Sequence, residues 1–133
     1  MITLSIKTSR QTEFLDITTE VEKAVSGSKV QEGMALVYCP HTTAGLTINE
    51  GADPSVREDI LRILNQVIPF KGPYQHLEGN SPAHIKASLI GSSVTVIISN
   101  GRLVLGTWQS IFFCEFDGPR TRNVMIKTLP AST

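Results

Sequence analysis

Three histidines are the residues of this chain best suited to chemistry, and each is predicted to lie at the edge of a secondary-structure element. His41 follows a buried strand, His76 lies in a loop rich in proline and glycine, and His84 falls in the first turn of a helix. Sites are usually built at such positions. Three neutral imidazoles are a common ligand set for zinc or another transition metal. The intervals of 35 and 8 residues match no local metal motif, so unrelated surface or capping histidines remain an alternative.

Several carboxylates lie close to these histidines in the sequence. Glu50 and Asp53 follow His41 within one segment, and Glu78 comes two residues after the second histidine. Asp53 directly precedes a proline, which is typical of a helix N-cap. Glu50 has no evident helix to cap, so we predict that it acts in acid–base chemistry or orients an imidazole. Glu115 is predicted to be the solvent-facing residue of an alternating strand.

Several side chains could bind a phosphate group, although no single one is decisive. The hydroxyl donors are Thr42, Thr43, Ser92 and Ser93, and the cations are Lys86, Arg102, Arg120 and Arg122. The amino terminus of a helix predicted over residues 82–90 adds backbone N–H donors. Trp108, the only tryptophan, is interpreted as core packing at the start of a strand, with stacking against a ligand as the alternative.

The elements that must position these residues indicate an α+β fold. Apolar patterning predicts strands at residues 2–8, 33–39, 93–99 and 121–129, with a further strand that starts at Arg102 and continues through residue 116. Three helices are predicted: one from a Thr19–Glu22 capping box to Ser26 and Gly27, one after Asp53 that ends at Pro69, and one over 82–90 that begins with Ser81 and Pro82 and is closed by Gly91. The dipeptide Asn100–Gly101 favours a type I′ hairpin turn. We therefore expect a mostly antiparallel sheet or sandwich with about three helices.

Length and composition limit both the organisation and the partners of the chain. Its 133 residues form one domain, residues 1–133, and a chain of this size can bury about two-thirds of its surface. Twelve basic residues balance twelve acidic ones, so no overall positive charge attracts nucleic acid. The N-terminus has no signal-peptide pattern and no apolar run is long enough to span a membrane. Cys39 and Cys114 lie in apolar runs as reduced thiols, which favours the cytoplasm.

Five sequence blocks resemble a known family. They are residues 41–50 (HTTAGLTINE), 76–80 (HLEGN), 83–89 (AHIKASL), 101–109 (GRLVLGTWQ) and 114–120 (CEFDGPR). Their order and spacing over about residues 1–128 are similar to those of the YjbQ-type family, described as secondary thiamine-phosphate synthases. The resemblance implies a homotrimer of α+β subunits with a polar pocket near a subunit interface, where a metal or an oxyanion is bound.

The resemblance and the chemistry of the residues together assign roles. The pocket is built around His41, His76 and His84, which would hold a divalent metal, zinc or magnesium. The catalytic residues would be Glu50, His41 and His84. The residues that bind substrate would be Thr42, Thr43, Asn80, Lys86, Trp108, Gln109 and Arg120.

The expected activity is that of a transferase that joins a pyrimidine diphosphate to a thiazole phosphate and releases pyrophosphate. Arg120, Lys86 or a metal would stabilise the charge of the leaving group. Two alternatives remain open: a metal-dependent hydrolase or phosphatase, and a trimeric module that binds a small molecule or an anion. In each case the partner is a phosphorylated or anionic small molecule, and neither nucleic acid nor a membrane is expected.

Overall fold

The computed structural model describes residues 1–132 and contains, within them, eight strands and three helices. The strands are β1 (Ile2–Lys7), β2 (Glu13–Asp16), β3 (Gly33–Tyr38), β4 (Ala44–Glu50), β5 (Ser93–Ser99), β6 (Arg102–Leu103), β7 (Gln109–Glu115) and β8 (Thr121–Pro130). The helices are α1 (Thr18–Ser28), α2 (Pro54–Val67) and α3 (Ser81–Ile90). None of these helices is long and apolar enough to cross a membrane.

The strands form two antiparallel sheets that share one apolar core. The first sheet has the order β1–β8–β3–β5–β6 and the second the order β2–β7–β4, and every neighbouring pair runs antiparallel. Side chains from both sheets and from α1 fill the main core. The helices α2 and α3 cover the other face of the second sheet through a smaller apolar cluster. The predicted α+β class, with antiparallel sheets and three helices, is confirmed.

The central strand of the second sheet, β7, is buried on both faces. Ile111 and Phe113 face the core between the sheets, whereas Phe112 and Cys114 pack against the helical layer. A strand covered on both sides has a continuous apolar sequence rather than an alternating one. Glu115 is in phase with Ile111 and Phe113 and is fully buried. The prediction that Glu115 faces solvent is therefore wrong.

The chain leaves the first sheet soon after the β5–β6 turn. Asn100 and Gly101 have φ of 53° and 74°, as the predicted type I′ turn requires. However, β6 ends at Leu103, and the chain then crosses to the second sheet to form β7. The predicted uninterrupted return strand is wrong. Trp108 lies in the connecting turn and is 64% exposed, so its interpretation as core packing is wrong as well.

Local sequence predicts an end correctly for two of the three helices, α2 and α3. The Asp53 carboxylate accepts the Ser55 N–H at 2.9 Å and a proline begins α2, as predicted. Gly91 ends α3 as predicted, although Ser81 is its first helical residue rather than its cap. The predicted capping box of α1 does not form: the helix starts at Thr18 and runs past the predicted glycine stop.

Both cysteines are buried free thiols, as predicted. Burial raises the pKa of each thiol, which makes the reactive thiolate form scarce at neutral pH.

Lys86 is buried beneath α2. Its ammonium Nζ donates to Asn65 Oδ1 at 2.6 Å and lies 4.3 Å from the centroid of the Phe70 ring. Within residues 1–132 no carboxylate forms an ion pair with it. Burial lowers the pKa of Lys86, because a charged ammonium loses hydration in the interior.

Replacing Lys86 by methionine should stabilise the protein at pH 7 by about 1 kcal/mol, because an apolar side chain of similar length carries no desolvation cost. The lowered pKa means that the unfolded chain binds more protons than the folded one below pH 10.5. Stability of the wild-type chain should therefore rise relative to Lys86→Met as the pH increases toward that value. Urea unfolding at pH 7 and pH 9.5 measures both effects.

The exposed Lys23, on α1, provides the matched control: Lys23→Met should change neither stability nor its pH dependence. A Lys86→Met protein less stable than the wild type at both pH values would contradict this account of the buried ammonium.

Candidate functional site

An open cavity of about 630 Å³ lies where the entry to β4, the start of α3 and the turn between β7 and β8 meet. We call it the polar cavity. It is lined by Pro40, His41, Thr42, Thr43, Glu78, Asn80, His84, Asp117, Arg120 and Arg122. All of these residues except the proline are polar or charged, and the volume is in the range of small-molecule sites.

A buried ion pair forms the floor of the polar cavity. Arg122 is 3% exposed and Glu115 is fully buried. The guanidinium Nε of Arg122 donates to the Glu115 carboxylate at 2.9 Å and 3.2 Å, and Nη2 donates to the same carboxylate. Nη2 also donates to the Thr43 hydroxyl at 2.8 Å, and the Thr8 hydroxyl donates to Glu115 at 2.8 Å.

These contacts keep Glu115 ionised. Burial by itself would raise the pKa of its carboxyl group, but hydrogen bonds from Arg122, from the Asp117 backbone and from Thr8 outweigh that effect and hold the pKa below its ordinary value. The bonds occupy Nε and Nη2 of Arg122. The remaining guanidinium nitrogen, Nη1, is therefore the one that Arg122 can offer to a ligand in the cavity that it lines.

His41 enters the polar cavity as a neutral hydrogen-bond donor. Its Nε2 accepts the backbone N–H of Asn123 at 2.9 Å, so in the neutral ring the proton lies on Nδ1. Burial, and next the positive charge of Arg122, lower the pKa of His41. The imidazole is therefore uncharged at pH 7, with one N–H to donate.

His84 lies at the junction of the polar cavity and two neighbouring cavities. The ring of His76 meets it edge-on, with centroids 5.6 Å apart, and His76 Nε2 is 3.8 Å from Glu78 Oε2. His76 lines the neighbouring cavity on the side of the 69–80 loop and not the polar cavity. Two of the three histidines thus share the site, and the third lies against one of them.

The histidines do not form a metal centre within this chain. Across residues 1–132 no group of three His, Cys, Asp or Glu side chains is arranged to hold a metal ion, and Nε2 of His41 is already engaged by Asn123. Within residues 1–132 of one subunit the side chains of His41, His76 and His84 are not arranged as a metal site, and the zinc or magnesium site predicted at them stays a prediction.

The rim of the polar cavity carries a second, exposed network. Arg120 donates from Nε to the Asp117 carbonyl oxygen at 2.9 Å and from Nη2 to the Asp117 carboxylate at 3.1 Å. Asn80 Nδ2 donates to the same carboxylate at 3.0 Å. The Arg120 side chain is half exposed, so it can turn toward a ligand without breaking the interior.

Six predicted site residues line the polar cavity and five, including His76, lie elsewhere. Those in the cavity are His41, His84, Thr42, Thr43, Asn80 and Arg120. Lys86 is buried beneath α2. Glu50 pairs with Gln109 at the opposite end of β4, about 20 Å along the strand at 3.3 Å per residue, and Trp108 is the neighbour of Gln109 in the turn before β7.

Glu50 has a local structural role outside the polar cavity, and its predicted catalytic role stays a prediction. Its Oε2 accepts the backbone N–H of Asp53 at 2.7 Å, so it stabilises the turn into α2. Gln109 likewise serves its own turn, because its Oε1 accepts the Gly106 N–H at 2.7 Å. Glu50, Gln109, Trp108 and Lys86 do not line the polar cavity. The substrate-binding roles of Gln109, Trp108 and Lys86 therefore stay predictions.

The floor of the polar cavity is not among the predicted features. Glu115 is predicted to face solvent, and Arg122 is one of four cations that the sequence offers equally as phosphate-binding candidates. The sequence of β7 could have indicated this pair. Its continuous apolar run is typical of a strand buried on both faces, and a charged residue in phase with the core-facing residues of such a strand needs a buried partner.

Comparison with known proteins identifies the family of the chain. Residues 2–131 match the family described as UPF0047 protein YjbQ-like, and the chain belongs to that family. It is 55% identical over 128 residues to UPF0047 protein YugU of Bacillus subtilis, which covers 96% of this chain and 97% of the relative. A UPF0047 protein of Methanocaldococcus jannaschii is 56% identical over 124 residues, 93% of this chain and 90% of the relative.

Solved structures agree with the fold. A YjbQ/UPF0047 protein of Clostridium acetobutylicum, described as uncharacterized, has a TM-score of 0.96 at 60% identity and covers 97% of this chain and all of its own. A YbjQ-like protein of unknown function from Sulfolobus solfataricus has a TM-score of 0.94 at 33% identity, with coverages of 98% and 96%.

These comparisons correct the expected activity. The relatives are named only as UPF0047 proteins, and the structural neighbours are described as uncharacterized or of unknown function. Nothing in them points to thiamine-phosphate synthesis, so the prediction of a transferase with that activity is wrong.

Replacing Glu115 by glutamine should destabilise the protein by about 3–5 kcal/mol, because it leaves the buried Arg122 guanidinium without a counter-charge. Asp59→Asn is the matched control, since Asp59 pairs with Arg62 at 3.0 Å on the exposed surface and should cost at most about 0.5 kcal/mol. Urea unfolding at pH 7 measures both. Equal losses in the two variants would contradict a buried pair that stabilises the fold.

Proposed function

We propose that the polar cavity binds the phosphate group of a small phosphorylated molecule. The observation that carries this proposal is the arginine in its floor: Arg122 is held by Glu115 and Thr43 through Nε and Nη2, with Nη1 left for a ligand. A guanidinium held in this way loses little side-chain entropy when it binds an oxyanion.

The neighbouring groups match the several oxygens of a phosphate. His41 supplies a neutral N–H, Thr42 supplies a hydroxyl, and Arg120 supplies a mobile positive charge at the rim. The oxygens of a tetrahedral phosphate can accept hydrogen bonds from several sides, whereas donors on one side can bind both oxygens of a flat carboxylate. Donors that come from several elements therefore suit a phosphate better. The balanced total charge of the chain supports a small ligand rather than a nucleic acid.

Catalysis on the bound molecule is a second candidate. The specific support is the chain of groups that leads into the cavity: Glu78 lies 3.8 Å from His76, whose ring meets that of His84. Imidazoles beside a phosphate can transfer protons to and from a leaving oxygen. In that case His84 would be the catalytic residue and His76 a positioning residue.

A homotrimer is also part of the proposal, and an exposed apolar row on the first sheet supports self-association. Val104, Ile97, Met34 and Leu129 are cross-strand neighbours and are between 41% and 63% exposed. Contiguous exposed apolar groups of this kind mark interaction surfaces. Leu129 of this row and Asn123, whose backbone N–H donates to His41, lie on the same strand, β8, about 20 Å apart at 3.3 Å per residue. The cytoplasm remains the predicted compartment.

Replacing Arg120 by glutamine should weaken the binding of inorganic phosphate by about tenfold or more, because a charged donor is lost at the rim. Isothermal titration calorimetry at pH 7 measures the Kd. Arg62→Gln is the matched control, since Arg62 forms the same kind of exposed pair with a residue three positions earlier. Its Kd should stay within about twofold of the wild type.

A wild-type protein that does not bind phosphate, or equal losses in Arg120→Gln and Arg62→Gln, would contradict the phosphate site.

Replacing Ile97 by lysine should dissociate the trimer, because a charge at the middle of the apolar row cannot be desolvated between subunits without a partner. Light scattering after size exclusion measures the mass. Lys23→Glu, on the exposed surface of α1, should leave it unchanged. A wild-type protein that is a monomer would contradict the proposed assembly, and a trimer unaffected by Ile97→Lys would contradict this surface.

A further inference from the structure

A second cavity, of about 400 Å³, opens beside the polar cavity and shares His41, Thr42 and His84 with it. Its other lining residues are Ala44, Ala87, Ser88, Gly91 and Ser92. No Asp, Glu, Lys or Arg is among the described residues that line it, and we call it the neutral cavity. The polar cavity is therefore lined in part by charged side chains and the neutral cavity is not, and the three shared residues lie between them.

The neutral cavity is built along one face of α3. His84, Ala87 and Ser88 recur at helical spacing, so their side chains point to the same side of the helix, and Gly91 follows at its end. Ala44, at the start of β4, is 1% exposed. Small side chains on both sides leave room that longer ones would fill.

Backbone hydrogen bonds hold these walls in place. The Leu46 N–H donates to the Gly91 carbonyl oxygen at 3.0 Å, and the Cys39 N–H donates to the Ser92 carbonyl oxygen at 2.7 Å. These two bonds tie the end of α3 to β3 and β4. The space is thus formed by the fold itself and does not depend on a mobile side chain.

We propose that the ligand is a phosphate monoester whose phosphate lies in the polar cavity and whose neutral organic group lies in the neutral cavity. This inference rests on the proposed function of the polar cavity. The residues shared by both cavities, His41, Thr42 and His84, would then lie beside the ester linkage. A second phosphate or carboxylate on the organic group is disfavoured, because the neutral cavity has no cation to pair with it.

The volume of the neutral cavity indicates the size of the organic group that it can hold. At about 30 Å³ for each atom of the size of a water molecule, 400 Å³ holds roughly a dozen non-hydrogen atoms. A pentose or a single ring fits this volume. A third cavity, lined by His76 and Tyr74, shares only His84 with the polar cavity and is less continuous with it.

The test compares inorganic phosphate with two neutral-tailed monoesters, ribose 5-phosphate and phenyl phosphate, by isothermal titration calorimetry. At least one monoester should bind the wild-type protein about tenfold or more tightly than phosphate. Ser88→Phe and Ser92→Leu place bulk into the neutral cavity from two different elements. Each should reduce the advantage of the monoester to about threefold or less, whereas phosphate, which needs only the polar cavity, keeps its Kd within about twofold.

Leu89→Phe is the matched control, because Leu89 is the exposed neighbour of Ser88 on α3 and does not line the cavity. It should keep the full monoester advantage. Far-ultraviolet circular dichroism establishes that each variant is folded.

The outcomes separate this inference from the proposed function. Phosphate that binds while neither monoester binds more tightly, or a monoester advantage that survives both Ser88→Phe and Ser92→Leu, would overturn the inference alone. A monoester that binds and is lost in these variants, with no binding of inorganic phosphate, would support the neutral cavity and overturn the phosphate site. Binding of none of the three probes would overturn both.

Discussion

The buried pair of Glu115 and Arg122 is the interaction on which the site depends. Each charge loses its hydration in the interior, and only a closely bonded partner offsets that loss. Here the bonds come from both sheets, because Arg122 belongs to β8 of the first and Glu115 to β7 of the second. Thr8 and Thr43 complete the set of partners. The same pair that joins the sheets therefore forms the floor of the polar cavity.

This arrangement gives a site that selects by geometry rather than by excess charge. Arg122 is balanced by Glu115, and Arg120 is balanced by Asp117. An anion then gains from fixed donors without being attracted over long distances, which favours a small metabolite over a polyanion. The neutral His41 fits the same logic, because it adds an N–H donor but no charge. Within the described residues no Asp, Glu, Lys or Arg lines the adjoining neutral cavity, which favours an uncharged organic group in the rest of the ligand.

How much of this could be predicted from sequence depends on the range of the interactions. The Asn100–Gly101 turn and the start of α2 at Asp53 are set by neighbours in the chain, and both predictions are confirmed. The strand crossing after Leu103 places β7 between β2 and β4 of the other sheet, and local patterning carries no information about that long-range pairing. The position of Trp108 was missed for the same reason.

The residues of the site also divide into those that local sequence predicts and those that only long-range contacts bring together. His41 and His84 were expected at element edges, and they share a cavity because the fold brings those two edges together. Glu50 is nine residues from His41 in sequence, but a β-strand separates them in space. Glu115 and Arg122 are seven residues apart and belong to different sheets, so only the tertiary structure shows that they are partners.

A crystal structure of the protein with bound phosphate tests the central claim most directly. The account predicts tetrahedral density in the polar cavity with an oxygen about 2.7–3.0 Å from Nη1 of Arg122, while Nε and Nη2 keep their bonds to Glu115. Phosphate bound only at other surfaces, or a guanidinium whose Nη1 faces away from the cavity, would contradict it.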